Sequence, residues 1–284
     1  MVGAATTVLS VGAIGAQQAA LTADTVVGRI RENVGVPWRE KTTDGFKAGN
    51  PTTLVTGVAT TVMATVDVLR QAVTARRNLI VVQEPTFYAA DDGSGTRGSD
   101  PVYLAKRRFI EEQKLVVWRF SDHWNARRPS EAVTALATTL GWSANLSPGA
   151  EGLYQVPETT LGALATHVGS RLGIRGGLRM VGQPTLRVRT VYLSPGTITM
   201  PGAIESLRRA DVIVVGEARE WEGVPYTLDT WSAGPNQARG MIAIGRVVSQ
   251  GPAMQACAVW IGSLVPGTPV EAITTADPYW NPRR

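Results

Sequence analysis

Between Thr61 and Val82 the hydrophobic period changes within one short span. Val62, Thr65, Val66, Leu69 and Val73 recur at helical spacing as far as Ala75, and Leu79-Ile80-Val81-Val82 then runs apolar without a break. A one-striped helix followed by a strand apolar on both sides is what a buried parallel sheet requires, because helices cover both of its faces. With a short strand at Leu54 to Val58 before the helix, the stretch is a βαβ module.

The same alternation continues along the chain. A helix runs from Thr22 to about Glu32, and Thr42 to Thr53 is polar and glycine-containing, so it reads as a loop. Pro101 to Gln113 and Ser130 to Leu140 are helical, with a strand at Leu115 to Phe120 between them. Glycines at 141 and 173 follow helical patterns where a left-handed cap is needed. Ser143 to Pro157 has the composition of a connection. Beyond it come a helix at Thr159 to Leu172, strands at Leu186 to Leu193 and Val212 to Val215, a helix at Ala203 to Arg209 and a last helix from about Pro252 to Leu264. The pattern predicts an α/β protein of two α/β domains with mixed sheets flanked by helices. Residues 1–20 form an apolar arm or remnant signal segment, 21–145 the first domain, and 146–284 the second domain with a proline-containing tail.

Composition narrows the chemistry. Cys257 is the sole cysteine, so an intrachain disulfide framework and a cysteine-type zinc site are excluded, and His123 and His167 are the only imidazoles. The net charge of +5 comes from 28 cations against 23 carboxylates spread along the chain, and the arginine pairs at 76–77, 107–108, 127–128 and 208–209 read as solvated helix faces. No nucleic-acid partner is expected. The apolar run from Val2 to Ala16 is too short to span a membrane as a helix. We read it as a leader for export or as an arm that packs on a neighbouring subunit, with a cytoplasmic location as the alternative. Neither a phosphate loop nor a nucleophile elbow is present, and Gly93 to Gly98 has the spacing of a flexible loop.

In open α/β sheets ligands gather beyond the carboxyl ends of the strands. That rule selects Gln83-Glu84, Ser121 to Asn125, Glu217 with Glu220, and Arg246 to Gln250. Glu84, Asp122, His123, Glu217 and Glu220 have the donor types of one residual divalent-metal site, although a lone histidine such as His123 is more often a hydrogen-bonded structural residue. His167, inside a helix, has a packing role.

The segment from Gly57 to Leu69 leading into Asn78-Leu-Ile-Val-Val-Gln-Glu-Pro-Thr-Phe87 resembles the NGG-interacting-factor-three-like (NIF-three-like) family of dinuclear-metal proteins. Order and spacing extend the resemblance through Arg119-Phe120, Val212 to Glu217 and Gly245 to Gln250. It implies a ring-shaped homohexamer with paired metal ions between two domains, and an activity of metal-dependent hydrolysis. Carried across by position, the family's ligands fall on Gln83, Glu84, Asn125, Arg246 and Gln250, with a further histidine position at Ser121. Glu84 alone keeps an anionic ligand type. Gln83, Asn125 and Gln250 offer neutral amide oxygens, and the Arg246 guanidinium has no lone pair and repels a dication by several kcal/mol at short range. Arg246 is placed to pair instead with Glu84 or Glu217.

Three functions follow as expectations. The first is a member without cofactor whose degenerate metal site leaves self-assembly, as a ring or polymer, as its role. The second is a metal-dependent hydrolase of a small or nucleotide-like substrate with one weakly bound divalent metal, and the third a small-anion binding module.

Overall fold

In the computed structural model the described residues are 21–234 and 236–282, so the arm at residues 1–20 lies outside them. Helix α1 (Ala23–Asn33) opens at Thr22, whose hydroxyl accepts the Thr25 amide at 3.2 Å. Strand β1 (Gly45–Ala48), strand β2 (Val58–Thr61), helix α2 (Val66–Thr74) and strand β3 (Leu79–Val82) follow. Next come α3 (Pro101–Glu112), β4 (Val116–Arg119), α4 (Asp122–Ala126) and α5 (Glu131–Leu140). The second half contributes β5 (Leu153–Thr160), α6 (Leu161–Leu172), β6 (Arg179–Val181), β7 (Arg187–Ile198), α7 (Met200–Arg209) and β8 (Val212–Ala218). It closes with α8 (Gly223–Asp229), β9 (Gly240–Ala243), α9 (Arg246–Leu264) and β10 (Val270–Ala272).

Among the described residues the strands form two five-stranded sheets, ordered β1-β4-β3-β2-β10 and β5-β7-β8-β9-β6. Both are mixed. In the first, β10, β2, β3 and β4 are parallel and β1 is an antiparallel edge; in the second, β7, β8 and β9 are parallel between antiparallel β5 and β6. Helices flank both, as the alternating pattern requires. No helix among the described residues is long and apolar enough to cross a membrane.

Several boundaries differ from the sequence expectation, each for a physical reason. The strand before α2 is Val58–Thr61 rather than 54–58, because Thr60 and Thr61 are fully buried. The Thr60 hydroxyl donates to the Met254 carbonyl at 2.6 Å, and the Thr61 hydroxyl pairs with that of Thr275 at 3.0 Å. Satisfied hydroxyls of this kind pack as apolar residues do. Residues 42–53, a loop by composition, include β1, and residues 143–157 include the start of β5. β10 lies in the stretch that sequence assigned to the second domain, yet it is hydrogen-bonded beside β2, so the first sheet is completed by the end of the chain.

Helix α9 holds the two layers together. It begins at Arg246 rather than near Pro252, which sits in its second turn. It contacts β2 and β10 of one sheet and β7 and β8 of the other, and Val247, Met254, Cys257 and Ile261 join the core around Trp118 and Phe120. Covered on several sides, it has no strong polar face. Burial also pushes the Cys257 thiol well above its ordinary range, which keeps it protonated.

One buried carboxylate fixes the chain where it leaves β4. Asp44 accepts the amides of Ser121, Asp122 and His123 at 2.6, 2.9 and 3.0 Å, and contacts the His123 Nδ1 at 2.7 Å. The other ring nitrogen accepts the Arg39 amide at 2.9 Å, so Nδ1 carries the proton and donates it to Asp44. Asp44→Ala leaves these donors without an acceptor in a buried place. We expect it to lower unfolding stability by about 3 kcal/mol in a denaturant titration, with Asp44→Asn losing less.

Candidate functional site

The carboxyl ends of strands from both sheets meet the first turn of α9 around a cleft of about 440 Å³. Beyond β3 lie Gln83 and Glu84, both buried. The turn after β4 brings Ser121 and Asn125, the irregular end of β7 brings Ser194 and Thr197, and α9 supplies Arg246 and Gln250, with Glu217 of β8 bonded to Arg246. Gly216 allows this convergence, since a Cβ there would sit 2.3 Å from the Gly196 carbonyl and 2.5 Å from the Ser249 hydroxyl.

Arg246 is the hub. Its Nη1 donates to Glu84 Oε1 at 2.7 Å, and its Nε and Nη2 donate to Glu217 Oε1 at 3.1 and 2.8 Å. Nη2 also contacts the Thr197 hydroxyl, which donates to Glu217 at 2.7 Å. Sequence named one carboxylate or the other as its partner; the structure gives it both. Burial works against the guanidinium's charge, but the bonds to Glu217 and Glu84 outweigh it and hold the group above its ordinary value. Glu217 responds in the opposite direction. Burial raises its carboxyl, and the Arg246 and Thr197 hydrogen bonds bring it below the usual value.

Two amides, Asn125 and Gln250, line the cleft, and a third, Gln83, lies buried behind Asn125. Gln83 Nε2 donates to Asn125 Oδ1 at 3.1 Å, leaving the buried Gln83 Oε1 without a donor. Gln250, only 6% exposed, lines the cleft with its own Oε1 also lacking a donor. The positions onto which the resemblance carries the family's ligands therefore come together, as amides around an ion-paired arginine.

The residual metal site drawn from Glu84, Asp122, His123, Glu217 and Glu220 is not assembled. Among the described residues no three His, Cys, Asp or Glu side chains are grouped to hold an ion. Asp122 accepts the Thr43 amide at 2.7 Å and the Thr42 hydroxyl at 2.8 Å; burial raises its carboxyl, and these contacts together with Arg39 bring it below its ordinary value. His123 is saturated by Asp44 and Arg39 and stacks on Trp38 at 3.7 Å between ring centroids. Glu220 pairs with Arg179 on the surface at 2.6 Å. His167 bonds the Leu140 carbonyl at 2.9 Å and stacks on Trp142, a packing role.

Other groups at the cleft have little sequence signal. Arg119 lines it while pairing with Asp92 at 3.3 Å, and Arg128 lines it while pairing with Glu151 at 3.6 Å. A lone cation in the apolar run Val116-Val-Trp-Arg119 is the one visible clue. The pair at 127–128 is no solvated helix face, since Arg127 lies over the rings of Trp124 and Trp260 at 4.9 and 4.7 Å. Tyr192 and Thr197 stand in a strand without any marker.

Replacing Arg246 by Met leaves Glu84 buried beside Glu217 with no cation. We expect about 2–3 kcal/mol of lost stability at neutral pH, partly restored by Glu84→Gln, measured by denaturant unfolding. The depressed Glu217 carboxyl contributes stability that is complete above its unfolded pKa and is lost as pH falls through its lower folded value. The acid side of the stability–pH profile is therefore expected to flatten in Arg246→Met.

Compared with protein-family models and with curated proteins, the sequence matches none. Solved structures do match. A Staphylococcus aureus protein, SA1388, superposes with a TM-score of 0.71 at 15% identity, covering 92% of this chain and 99% of that one. A Bacillus cereus protein related to NIF3 gives a TM-score of 0.71 at 13% identity over 92% and 99% of the two chains. TTHA1606 from Thermus thermophilus gives 0.64 at 17% identity over 91% and 100%. With its two mixed sheets joined through α9, the chain has the fold of these NIF3-related structures.

Proposed function

We propose that this chain is a NIF3-like protein in which an internal arginine stands in place of a dinuclear metal centre, and whose retained role is self-assembly as a structural or interaction protein. The observation that carries the first half is the guanidinium of Arg246 held between Glu84 and Glu217 at 2.7 and 2.8 Å. A dinuclear centre needs several anionic or imidazole donors. The cleft presents one buried carboxylate already bound to a cation, together with the amides of Asn125 and Gln250, with Gln83 buried behind Asn125. A dication about 4 Å from the guanidinium meets a repulsion of roughly 8 kcal/mol at an effective dielectric near 20. These residues do not fit the metal pair. A hydrolase would need a proton carrier beside the cleft, and His123 and Glu220, the groups the sequence offers for it, are engaged elsewhere.

Self-association is supported by the open β6 edge of the second sheet and the apolar groups on either side of it. An open groove of about 710 Å³ runs along α6, lined by Gly162, Ala165, Gly169 and Gly173 and bounded by Met180 of β6. β6 is an edge strand with Met180 51% exposed on its α6 side, and across the sheet, on its α8 side, Trp221 and Leu228 are 74% and 53% exposed. The Arg179–Glu220 pair ties β6 to the segment carrying Trp221. Small residues admit a second backbone at close range, and an apolar rim beside an open strand edge favours a copy of the same chain. On size-exclusion chromatography with light scattering we expect a multimer that chelator leaves intact and that Trp221→Glu with Met180→Glu dissociates. A monomer, or a multimer that chelator dissolves, would contradict the proposal.

A further inference from the structure

We propose that residues 86–92 form a proton-controlled strap over Lys106. The strap closes when that lysine is neutral and is released when it is charged, which frees Arg119 at the cleft.

The strap holds an unfavourable backbone. It begins two residues after Glu84, and within it Tyr88 and Asp92, neither of them glycine, have φ of 66° and 60°. Residues with a Cβ take the left-handed region at a cost, and they stay there only where their surroundings enforce it. Three side chains do so here. Asp92 Oδ1 accepts the amides of Thr86 and Phe87, the second at 3.0 Å. Arg119 Nη1 donates to the Ala90 carbonyl at 2.6 Å and to Asp92 at 3.3 Å. Lys106 Nζ donates to the Thr86 carbonyl at 2.5 Å. The Thr86 hydroxyl, by contrast, is buried without a partner.

Lys106 is the variable member of this set. It projects from α3 and is 3% exposed, and of its three N–H donors one has an acceptor among the described residues. Around it stand the rings of Tyr88 and Phe87 at 4.9 and 5.8 Å and the charge of Asp92. That carboxylate is shared, since Arg119 and Lys47 of β1 reach it at 3.3 and 4.0 Å. The other packed elements add no anion. α3 itself contributes Tyr103, and α2 turns Val68, Leu69 and Ala72 into the same core while Asp67 and Arg70 stay exposed. A buried ammonium short of partners favours its neutral form. Burial, only partly opposed by Asp92, accordingly pulls this group down to about 8. Tyr88 is exposed on its outer side, so the strap is what separates the amine from water.

Opening returns the lysine to water and to its ordinary value of 10.5. Between about 8 and 10.5 it is neutral under a closed strap and charged under an open one. Rising pH therefore favours closure, and falling pH favours release. Release takes the Ala90 carbonyl and Asp92 away from Arg119, which lines the cleft, so the state of the strap reaches the site through that guanidinium.

The test is amide hydrogen exchange of the full chain, pulse-labelled at pH 7.5 and 9.5, corrected for the intrinsic rate and read by mass spectrometry. The Thr86 and Phe87 amides, both bonded to Asp92, report closure. We expect protection of peptides spanning 86–92 to rise at least about tenfold from the lower pH to the higher, while α2 and α9 peptides stay unchanged. Lys106→Met keeps the length without the charge and is expected to protect the strap equally at both pH values. Lys106→Arg, charged throughout, is expected to leave it unprotected at both. At one pH, phenylglyoxal is expected to modify Arg119 more slowly in Lys106→Met than in Lys106→Arg. Wild-type protection that does not rise with pH overturns the proposal. So does the wild-type pH dependence persisting in Lys106→Met, or equal modification of Arg119 in the two variants. Should Lys106→Met fail to fold, the wild type and Lys106→Arg decide the matter between them.

Discussion

A guanidinium clamped between two carboxylates, one from each sheet, is the contact on which the arrangement of the cleft depends. Glu84 arrives at the end of a strand buried on both faces, and Glu217 at the end of the corresponding strand in the other sheet. Brought together without a cation, the two would repel in a partly desolvated place. Arg246 supplies the cation from the first turn of α9. That position is unfavourable for a helix taken alone, because a positive charge there opposes the macrodipole. Two carboxylates at the same helix end offset this, so the residue suits the cleft rather than the helix.

The scaffold behind the clamp is built from ordinary burial. α9 serves both layers at once, which makes the first turn a point fixed from several directions. Gly216 lets β8 lie against the end of β7, and Asp44 gathers the backbone after β4 into one place. The amides at 83, 125 and 250 are thereby held around the arginine, and two of their oxygens lack donors.

Much of the architecture was legible in the period of the hydrophobic residues, and the reasons for the exceptions are specific. Leu79–Val82 read correctly, and so did the helix before it except at its start, which lies at Val66 rather than Thr61, because both are decided by which faces are covered. The strand at Val58–Thr61 did not, since its threonines are polar by type and buried by virtue of hydroxyl bonds made to Met254 and Thr275, residues nearly two hundred positions or more away. β10 carries no local strand pattern that distinguishes it from the tail. The start of α9 was displaced toward Pro252 by proline's usual place at a helix opening.

The cleft was legible as a set of aligned positions, and Arg246's carboxylate partners could be named from charge alone. What sequence could not show was that His123 and Asp122 turn away from it, because the residues that hold them, Arg39, Thr42, Thr43 and Asp44, lie about eighty positions earlier. We propose that Arg246 fills the place of a metal pair. Elemental analysis of the native protein, purified without chelator and incubated with zinc and manganese before gel filtration, addresses it most directly. The account predicts metal far below one ion per chain; retention of one or two ions per chain that chelator then removes would contradict it.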